Sequence, residues 1–272
     1  MESYLTYLLS RLGLELILRL PRTSAATLVN FLAGLAYKID AGHRRIAQIN
    51  LRIVFPELSD EEHDRIARKS FQNSARNILE VGRLPLLNRE NLRSLVRYDP
   101  DFGLNNLQAA RATGKGILYL TGHFSAWELL PAAHALYGNP LSFVTRPLDN
   151  LHLERYIRRM RESSGNQVIS KKNSARQILE VLRARGEVGI LMDQNTILQE
   201  GVFADFFGVP AATTTGFAHI ALRTDAAVLP GFLTPMRHGI YTIKFLPQVQ
   251  LIRTGDMARD VQLNTELFNG VL

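Results

Sequence analysis

The sequence of 272 residues contains no cysteine and only one tryptophan. Without cysteine the chain cannot form disulfides, thiolate metal sites or a cysteine nucleophile. It contains no Gly-x-Ser-x-Gly sequence and no His-Glu-x-x-His sequence, which argues against a serine hydrolase with a nucleophile elbow and against a zinc peptidase. No stretch of about 20 apolar residues, the length that crosses a bilayer, is free of charges. These absences argue against several common kinds of catalytic site.

The composition is that of a globular protein, with 46% hydrophobic and 21% charged residues and a formal net charge of +7. The positive charge is concentrated between residues 151 and 185, where nine Lys and Arg residues face three Glu residues, a local excess of six. Such a cluster favours an anionic partner: phospholipid headgroups, a phosphorylated substrate, an acidic carrier protein or nucleic acid. The alternative is an ordinary solvated helix face. The basic residues are Arg155, Arg158, Arg159, Arg161, Lys171, Lys172, Arg176, Arg183 and Arg185.

Two apolar segments open the chain. Residues 4–20 are strongly apolar, and their charged residues Arg11, Glu15 and Arg19 recur every four positions, which places them on one face of a helix. This pattern is typical of an amphipathic helix that lies in a membrane interface. Residues 24–38 predict a second helix. We therefore expect a membrane-associating unit at residues 1–40 and an α/β domain at residues 41–272. The alternative is a pair of helices packed on the domain core.

Downstream, Ser59 and Glu62 form a capping-box pattern that predicts a helix to Arg83. Beyond it, apolar strand patterns alternate with helical ones. This alternation predicts an α/β fold with a mostly parallel central sheet flanked by helices. The predicted strands are 116–121, 141–145, 167–170, 187–192, 226–233 and 240–249, and the predicted helices are 103–112, 126–137, 150–163, 173–185 and 213–224.

In such sheets, ligands bind at the carboxyl ends of the strands. His123 follows the first predicted strand, and Glu128 lies five residues further on. If His123 lies in the turn and Glu128 in the first helical turn, the carboxylate can bond one imidazole nitrogen and leave the other to accept a proton. Alternatively, Ser125 and Glu128 form a capping box. Arg146 and the pair Asp193-Gln194 follow other predicted strands, so these residues are expected to converge on one crevice.

The residues around His123 also resemble a known family. The run TGHFSAWELLP resembles the His-x4-acid motif of the glycerolipid and lipid A acyltransferase superfamily, and most closely that of the bacterial lipid A biosynthesis acyltransferases (the lauroyl and myristoyl, or late, acyltransferases). Further blocks resemble the family in the same order over residues 20–235. They are Asn50-Leu51 with Phe55-Pro56-Glu57-Leu58, then Arg146-Pro147-Leu148-Asp149-Asn150, then Asp193-Gln194, and finally residues 201–214.

The resemblance implies that an acyl chain moves from an acyl carrier protein thioester, or from acyl-CoA, to a hydroxyl of a phosphorylated lipid A precursor. His123 would be the general base and Glu128 would orient it. No cofactor, metal or nucleic acid is implied. The place of action would be the cytoplasmic face of the bacterial inner membrane.

The resemblance also suggests substrate-binding residues. Arg146 would contact a phosphate or the oxyanion, unless it pairs with Asp149. Asp193 would position Arg146 or another basic group, unless it serves a turn or a helix cap. The aromatic pair near residue 206 would shape a pocket, or else pack as plain core, and Thr213 would open a helix that offers an anion site or a simple N-cap. The full set is Arg146, Asn150, Arg158, Asp193, Gln194, Phe206, Phe207, Gly208 and Thr213.

Other interpretations stay open at this point. The acceptor could instead be a lysophospholipid, a glycolipid or an ornithine lipid, or the chain could be a non-catalytic module that binds anionic lipid or nucleic acid. A metal hydrolase built on His123 and Glu128 with His134 or His152 is a further alternative. Members of the family usually continue beyond Leu272, so the sequence is expected to lack the family's usual C-terminal end.

Overall fold

A computed structural model describes residues 2–172, 174–236 and 239–272. Its helices are α1 Glu2–Arg19, α2 Arg22–Ile39, α3 Ala41–Val54, α4 Asp60–Arg83, α5 Leu104–Ala112, α6 Leu129–Leu136, α7 Leu151–Glu162, α8 Ser174–Arg183, α9 Gly216–Thr224 and α10 Met257–Val271. Its strands are β1 Val96–Tyr98, β2 Ile117–Thr121, β3 Ser142–Thr145, β4 Gln167–Ser170, β5 Glu187–Leu191, β6 Gly201–Phe206, β7 Val209–Thr214, β8 Ala227–Pro235 and β9 Tyr241–Phe245.

In this part of the chain the central sheet has seven strands, in the order β1-β9-β8-β2-β5-β3-β4. β8 and β9 are antiparallel, and the other neighbouring strands are parallel. Because parallel strands are buried on both faces, β2 reads as an almost continuous apolar run, Ile-Leu-Tyr-Leu-Thr. The predicted α/β class with a mostly parallel sheet flanked by helices is therefore confirmed.

The sheet separates two apolar cores. Residues that alternate along β2 point to opposite faces, so Tyr119 joins the core that packs against α5 and α6. Leu118 and Leu120 join the core that packs against α8, α9 and α10. The side chain of Phe217 on α9 and that of Leu129 on α6 are fully buried on these two faces. The helices therefore cover both faces of the sheet and leave its edge of strand carboxyl ends accessible.

The N-terminal helices pack on α4, whose start is the predicted capping box of Ser59 and Glu62. Arg22 on α2 forms a salt bridge with the buried Glu80, which also accepts a hydrogen bond from the Tyr241 hydroxyl at 3.1 Å. Arg83 donates to the carbonyls of Ile17 at 3.0 Å and Leu20 at 2.8 Å, and so caps the end of α1. One side of α1 and α2 thus packs on the domain, as the alternative interpretation of the sequence predicted.

The opposite side of these helices is apolar and exposed. On α1 and α2 the side chains of Leu9, Leu12, Phe31 and Ile39 are between 61% and 72% exposed. α3, which the sequence analysis did not predict, adds a further exposed apolar stripe of Ile46, Ile49 and Ile53. Among the described helices, none combines the length and hydropathy that a bilayer crossing requires. Membrane association through this surface stays a prediction, as does the boundary near residue 40.

Several element boundaries differ from the prediction. The helix expected at 126–137 begins at Leu129, because Pro131 lacks an N–H and is tolerated in the first turn but not in a helix interior. The helix expected at 213–224 begins at Gly216, because the preceding residues extend β7. β6 and β7 form a separate antiparallel hairpin that was not predicted. β1 and α10 were not predicted either.

Candidate active site

His123 and Asp193 meet at the carboxyl ends of two neighbouring strands. In the parallel pair β2 and β5, Thr121 lies opposite Leu191, and each candidate residue follows two positions later. The Oδ1 atom of Asp193 lies 2.8 Å from Nδ1 of His123, and its Oδ2 atom accepts the backbone N–H of His123 at 2.7 Å. An ionised carboxylate only accepts hydrogen bonds, so Nδ1 carries the proton and Nε2 is left as the acceptor.

The charge of Asp193 is stabilised by the same contacts. Burial alone would raise the pKa of its carboxyl, but the hydrogen bonds from His123 outweigh burial and hold that pKa below its ordinary value. The Trp127 ring packs edge-on against the imidazole, with ring centroids 5.0 Å apart. The imidazole is therefore fixed from two sides, by a carboxylate and by an aromatic ring.

The loop that carries His123 is tightly shaped. The N–H of Phe124 donates to the carbonyl of Gly122 at 2.7 Å, and Ser125 adopts a left-handed backbone with φ 57°. That conformation costs a non-glycine residue about 1–2 kcal/mol. A Cβ at Gly122 would lie 3.1 Å from Cγ of Asp193, tighter than ordinary contact. Gly122 therefore lets Asp193 approach the loop closely enough to hold His123.

Glu128 has a different partner from the one that the sequence predicted. Its carboxylate pairs with the Arg161 guanidinium of α7 through two hydrogen bonds, one of which joins Nε to Oε2 at 2.9 Å. Within the described ranges no hydrogen bond joins Glu128 to His123. Burial opposes the charge of Arg161, but the bonds to Glu128 outweigh it and raise its pKa. The geometric reason is that residues 122–128 form a loop before α6, which turns the Glu128 side chain toward α7.

The capping-box alternative for Ser125 and Glu128 is wrong. Glu128 is itself the N-cap residue of α6, and neither side chain accepts a helical N–H there. The backbone N–H of Glu128 instead donates to Oδ1 of Asn77 on α4 at 3.3 Å. The carboxylate is left to bind Arg161, so Glu128 ties the loop that carries His123 to α4 and α7.

His123, Glu128 and Arg161 border a crevice of ~770 Å³. Arg146 and Gln194, both expected there, line it as well. Arg146 does not pair with Asp149; among the described residues it has neither a hydrogen-bond nor an ion-pair partner. The convergence predicted for the strand ends is thus present in the structure, while the functions of these residues stay predictions.

Two expected substrate-binding residues have structural partners outside the crevice lining. Asn150 caps α7, with Oδ1 accepting the N–H of His152 at 3.1 Å and of Leu153 at 3.2 Å. Arg158 donates to Glu162 at 3.0 Å and to the carbonyl of Val168 at 2.9 Å. These contacts hold α7 and β4 in place, and neither residue borders the crevice.

The block at residues 206–213 lies in the β6–β7 hairpin. Phe207 and Gly208 form its turn with φ 54° and 78°. The rings of Phe206 and Phe207 are in edge contact, with their centroids 4.7 Å apart. None of these three residues lines the crevice. Thr213 lies in β7, buried, where its hydroxyl accepts a hydrogen bond from Asn269 at 2.9 Å. Its predicted place at the start of a helix is wrong, because the strand pairing of β7 continues to Thr214.

Three crevice residues were not predicted as site residues from the sequence. Arg161 and Lys171 were named only among the basic residues between 151 and 185. Lys171, directly after β4, lines the crevice without an ion-pair partner among the described residues. Thr145, the last residue of β3, lines it with a buried hydroxyl that lacks a hydrogen-bond partner. Lys171 and Thr145 could have been found by the rule that predicted Arg146, because both lie at the carboxyl ends of strands.

The residues of the alternative metal site are engaged elsewhere. The His134 ring bonds the hydroxyls of Tyr98 and Tyr119, and the His152 ring packs against those of Tyr4 and Tyr7. In residues 2–172, 174–236 and 239–272, no group of three or more potential ligands could hold a metal ion. His134 and His152 therefore do not join His123 and Glu128 in one set of metal ligands within the described residues.

Comparison with known proteins gives a consistent set of relatives. The family model described as bacterial lipid A biosynthesis acyltransferase matches residues 1–269. The chain is 26% identical over 192 residues to the lipid A biosynthesis acyltransferase of Haemophilus influenzae, covering 70% of this chain and 58% of that protein. It is 32% identical over 165 residues to the phosphatidylinositol mannoside acyltransferase of Mycobacterium tuberculosis, covering 59% of this chain and 52% of that protein. It is 27% identical over 184 residues to the lipid A biosynthesis palmitoleoyltransferase of Escherichia coli K12, covering 68% of this chain and 58% of that protein. The chain thus spans little more than half the length of these relatives.

Proposed function

Because the chain belongs to the bacterial lipid A biosynthesis acyltransferase family, we propose that it transfers a fatty acyl chain from a thioester to a hydroxyl group of a lipid acceptor. The observation that carries the proposal is the contact between His123 and Asp193 at the mouth of the crevice. It holds the imidazole in the tautomer whose Nε2 can take a proton from a substrate hydroxyl.

The reaction then needs no acyl-enzyme. Nε2 of His123 removes the hydroxyl proton, and the oxygen attacks the carbonyl carbon of the thioester. The tetrahedral intermediate collapses as the C–S bond breaks, and the imidazolium returns the proton to the leaving sulfur. Asp193 stabilises the imidazolium and fixes its orientation. General-base help of this kind contributes about 100- to 10,000-fold to the rate.

Glu128 acts through Arg161 in this proposal. The two side chains are 12% and 14% exposed, so the pair is largely removed from water. Breaking such a pair leaves one charge buried without compensation, which costs about 3–5 kcal/mol. Glu128 is thus a positioning residue that keeps the loop of His123 attached to α7, and Arg161 also presents its positive charge to the crevice.

The proposed acceptor is a phosphorylated lipid, with a lipid A precursor as the first candidate. Arg146 and Lys171 support this choice, because both border the crevice as cations without ion-pair partners among the described residues. A guanidinium can bind a phosphate through two hydrogen bonds. The mannoside relative makes a glycolipid acceptor the second candidate. The proposed donor is acyl carrier protein, for which the basic residues of α7 and α8 offer a complementary surface, or acyl-CoA.

The proposed place of action is the cytoplasmic face of the inner membrane. The exposed apolar faces of α1, α2 and α3 support attachment to one leaflet, and the flanking cations Lys38 and Arg45 suit anionic headgroups. Removing residues 1–38 would be a poor test, because α1 and α2 also bury Ile17 and Val29 against the domain. Point substitutions on the outward face are better.

The chemical step is tested with His123→Ala. With a series of acyl thioesters and a lipid A precursor, the unaltered protein is expected to release thiol and to yield an acylated lipid. His123→Ala is expected to lose at least about 100-fold in rate. An unchanged thermal unfolding curve is the control for folding. A His123→Ala variant with substantial turnover would rule out the general-base proposal, and retained lipid binding without turnover in the unaltered protein would favour a non-catalytic lipid-binding module.

Membrane attachment is tested with Leu9→Glu and Leu12→Glu, measured by sedimentation with anionic phospholipid vesicles. Each exposed leucine that enters a bilayer contributes about 1.5–3 kcal/mol, so each substitution is expected to weaken binding at least about tenfold. Met257→Glu is the matched control, because Met257 is also an exposed apolar residue but lies on α10. Equal sedimentation of all three variants would contradict attachment through α1.

A further inference from the structure

A ring of polar side chains, of which Tyr119 and His134 are buried, lies at the end of the crevice remote from His123. Arg111 donates to Glu187 at 2.8 Å and to Asn139 at 2.8 Å, and Asn139 donates to the Tyr98 hydroxyl at 3.1 Å. Two further members, Tyr119 and His134, close the ring. The Tyr98 hydroxyl lies 2.7 Å from Nδ1 of His134, the Tyr119 hydroxyl lies 3.2 Å from Nε2, and Tyr119 donates to Glu187 at 2.7 Å.

The donors and acceptors of this ring run in one direction. Tyr119 gives its proton to Glu187, so its oxygen must accept from Nε2–H of His134, and Nδ1 must accept from Tyr98. Only a neutral imidazole satisfies both contacts, in agreement with burial, which lowers the pKa of His134. The Glu187 pKa is also lowered: burial opposes the charge, but His134, whose Nε2 lies 3.7 Å away, and the hydrogen bonds from Tyr119 and Arg111 outweigh it. The hydrogen bonds of the ring are therefore all satisfied by a neutral His134 and an ionised Glu187.

The ring separates two cavities. Tyr119 and His134 line the crevice that opens at His123. Tyr98 and Asn139 line a second cavity of ~610 Å³ that is also bordered by Arg97. The hydrogen bond between Tyr98 and His134 thus crosses the wall between these spaces. An alkyl chain cannot easily push through this wall. To do so it would have to break the hydrogen bonds of the ring and leave donors and acceptors unpaired.

The part of the crevice between His123 and this wall is an apolar lobe beneath α6. Gly189 is paired with both Tyr119 and Phe143, so these residues share one face of the sheet. Leu130 and Leu141 also line the lobe, and Gly189 leaves space because it has no side chain. A Cβ there would make only ordinary contacts, with Phe143 at 3.6 Å and Leu141 at 3.7 Å. The lobe therefore has the lining that an alkyl chain requires, and a polar end.

We infer that the ring residues Tyr119 and His134 are the stop that sets the length of the acyl chain transferred, and that Gly189 sets the free depth before it. The inference rests on the proposed acyl transfer, with the thioester carbonyl at His123. Tyr119 precedes His123 by four residues along β2 and its loop, about 13 Å at ~3.3 Å per residue. An extended alkyl chain advances about 1.3 Å per carbon for C–C bonds of ~1.5 Å, so the lobe holds on the order of ten carbons.

Two substitutions should move the preferred chain length in opposite directions. Gly189→Val adds a side chain inside the lobe and is expected to shorten the preferred chain by about two carbons. His134→Ala removes the imidazole from the wall, joins the lobe to the second cavity and is expected to lengthen the preferred chain. Ile220→Phe is the control, because Ile220 lines the crevice on the other face of the sheet, with Phe217 of α9. It is expected to leave the preferred length unchanged.

The measurement is the rate of transfer from saturated acyl thioesters of increasing even length to a lipid A precursor, with products identified by mass spectrometry. Opposite shifts for Gly189→Val and His134→Ala support the inference. Should His134→Ala fail to fold, Gly189→Val decides alone. An unchanged length profile in Gly189→Val, or a shift in Ile220→Phe instead, overturns the inference while leaving acyl transfer intact. An unaltered protein that transfers no chain from any thioester overturns the proposed function, and the inference with it.

Discussion

The substitution Asp193→Asn tests how His123, the proposed general base, is held, with little change in shape. Asp193 accepts two hydrogen bonds from His123, one from the backbone N–H and one from the ring Nδ1–H. The two bonds end on different oxygens of Asp193, and in asparagine one of these oxygens becomes an NH2 group, which cannot accept. If its NH2 group faces the ring, Nδ1 becomes the acceptor and the proton moves to Nε2. The nitrogen that should accept the substrate proton is then blocked.

The expected loss can be bounded from this geometry. General-base catalysis by a positioned side chain contributes about 100- to 10,000-fold, and each tenfold corresponds to ~1.36 kcal/mol of activation free energy. Asp193→Asn is therefore expected to lower kcat by at least about 100-fold, or ~2.7 kcal/mol. The fold should survive, because the loss of one hydrogen bond to a carboxylate that is 24% exposed costs about 1–2 kcal/mol of unfolding free energy.

The assay measures the release of thiol from an acyl thioester. Urea unfolding is measured on the same sample. Asp225→Asn is the matched control. The pKa of that carboxyl is also lowered, chiefly by a hydrogen bond from Lys115, but Asp225 contacts no crevice residue among those described. The Asp225→Asn variant should keep its activity. A folded Asp193→Asn variant that keeps kcat within about threefold of the unaltered protein would refute the role assigned to Asp193.

The lowered pKa of Asp193 also predicts a pH dependence of stability. A carboxyl whose pKa is lower in the folded than in the unfolded protein stabilises the fold at pH values above its unfolded pKa. That contribution is lost as the pH falls through the folded value, which lies below 3.8. The difference in unfolding free energy between the unaltered protein and Asp193→Asn should therefore be constant near neutral pH and disappear in strong acid.

Three further predictions concern the neighbours of this pair. Gly122→Ala should displace Asp193, because the new Cβ would lie 3.1 Å from its Cγ, and should lower kcat about tenfold or more in the thiol-release assay without unfolding the protein. Glu128→Gln should lower the free energy of unfolding in urea by about 2–4 kcal/mol. Adding Arg161→Met should recover part of that loss, whereas additive losses would mean that the two side chains do not interact. Arg146→Ala should raise the KM for a phosphorylated acceptor about tenfold and leave that for its dephosphorylated form unchanged; equal effects on both acceptors would exclude a phosphate contact.

The sequence was sufficient to predict that His123, Arg146 and Gln194 line one crevice, but not which residues contact one another there. Apolar runs and turn residues define β2 and β5, and residues that follow parallel strands must lie at one edge of the sheet. Whether β2 neighbours β5 or another strand depends on contacts between residues 70 positions apart. Once that neighbour is known, the register of Thr121 with Leu191 brings His123 beside Asp193. Glu128, only five residues from His123, was the carboxylate that the sequence favoured as its partner, but its side chain bonds Arg161 instead.

The hairpin β6–β7 shows a different limit. Its turn has positive φ at Phe207 and Gly208, a type I′ geometry for which asparagine followed by glycine is the usual signal. A phenylalanine in the first position hides that signal. Pro210 and the small residues after it lack the alternation of a half-buried strand. Thr213 is held in the strand by its pairing with Val202, and its hydroxyl accepts a hydrogen bond from the distant Asn269, a contact that local sequence patterns do not contain.

The attachment of the N-terminal helices to the domain has a consequence for how the protein would meet the proposed lipid acceptor. Arg22 is locked to the buried Glu80, and Arg83 holds the end of α1, so the outward apolar surface cannot turn independently of the sheet. A bilayer bound to that surface would fix the tilt of the whole molecule and the height of its crevice above the headgroups. The search for a lipid acceptor would then be two-dimensional, with lateral diffusion rather than rotation of the protein governing each encounter.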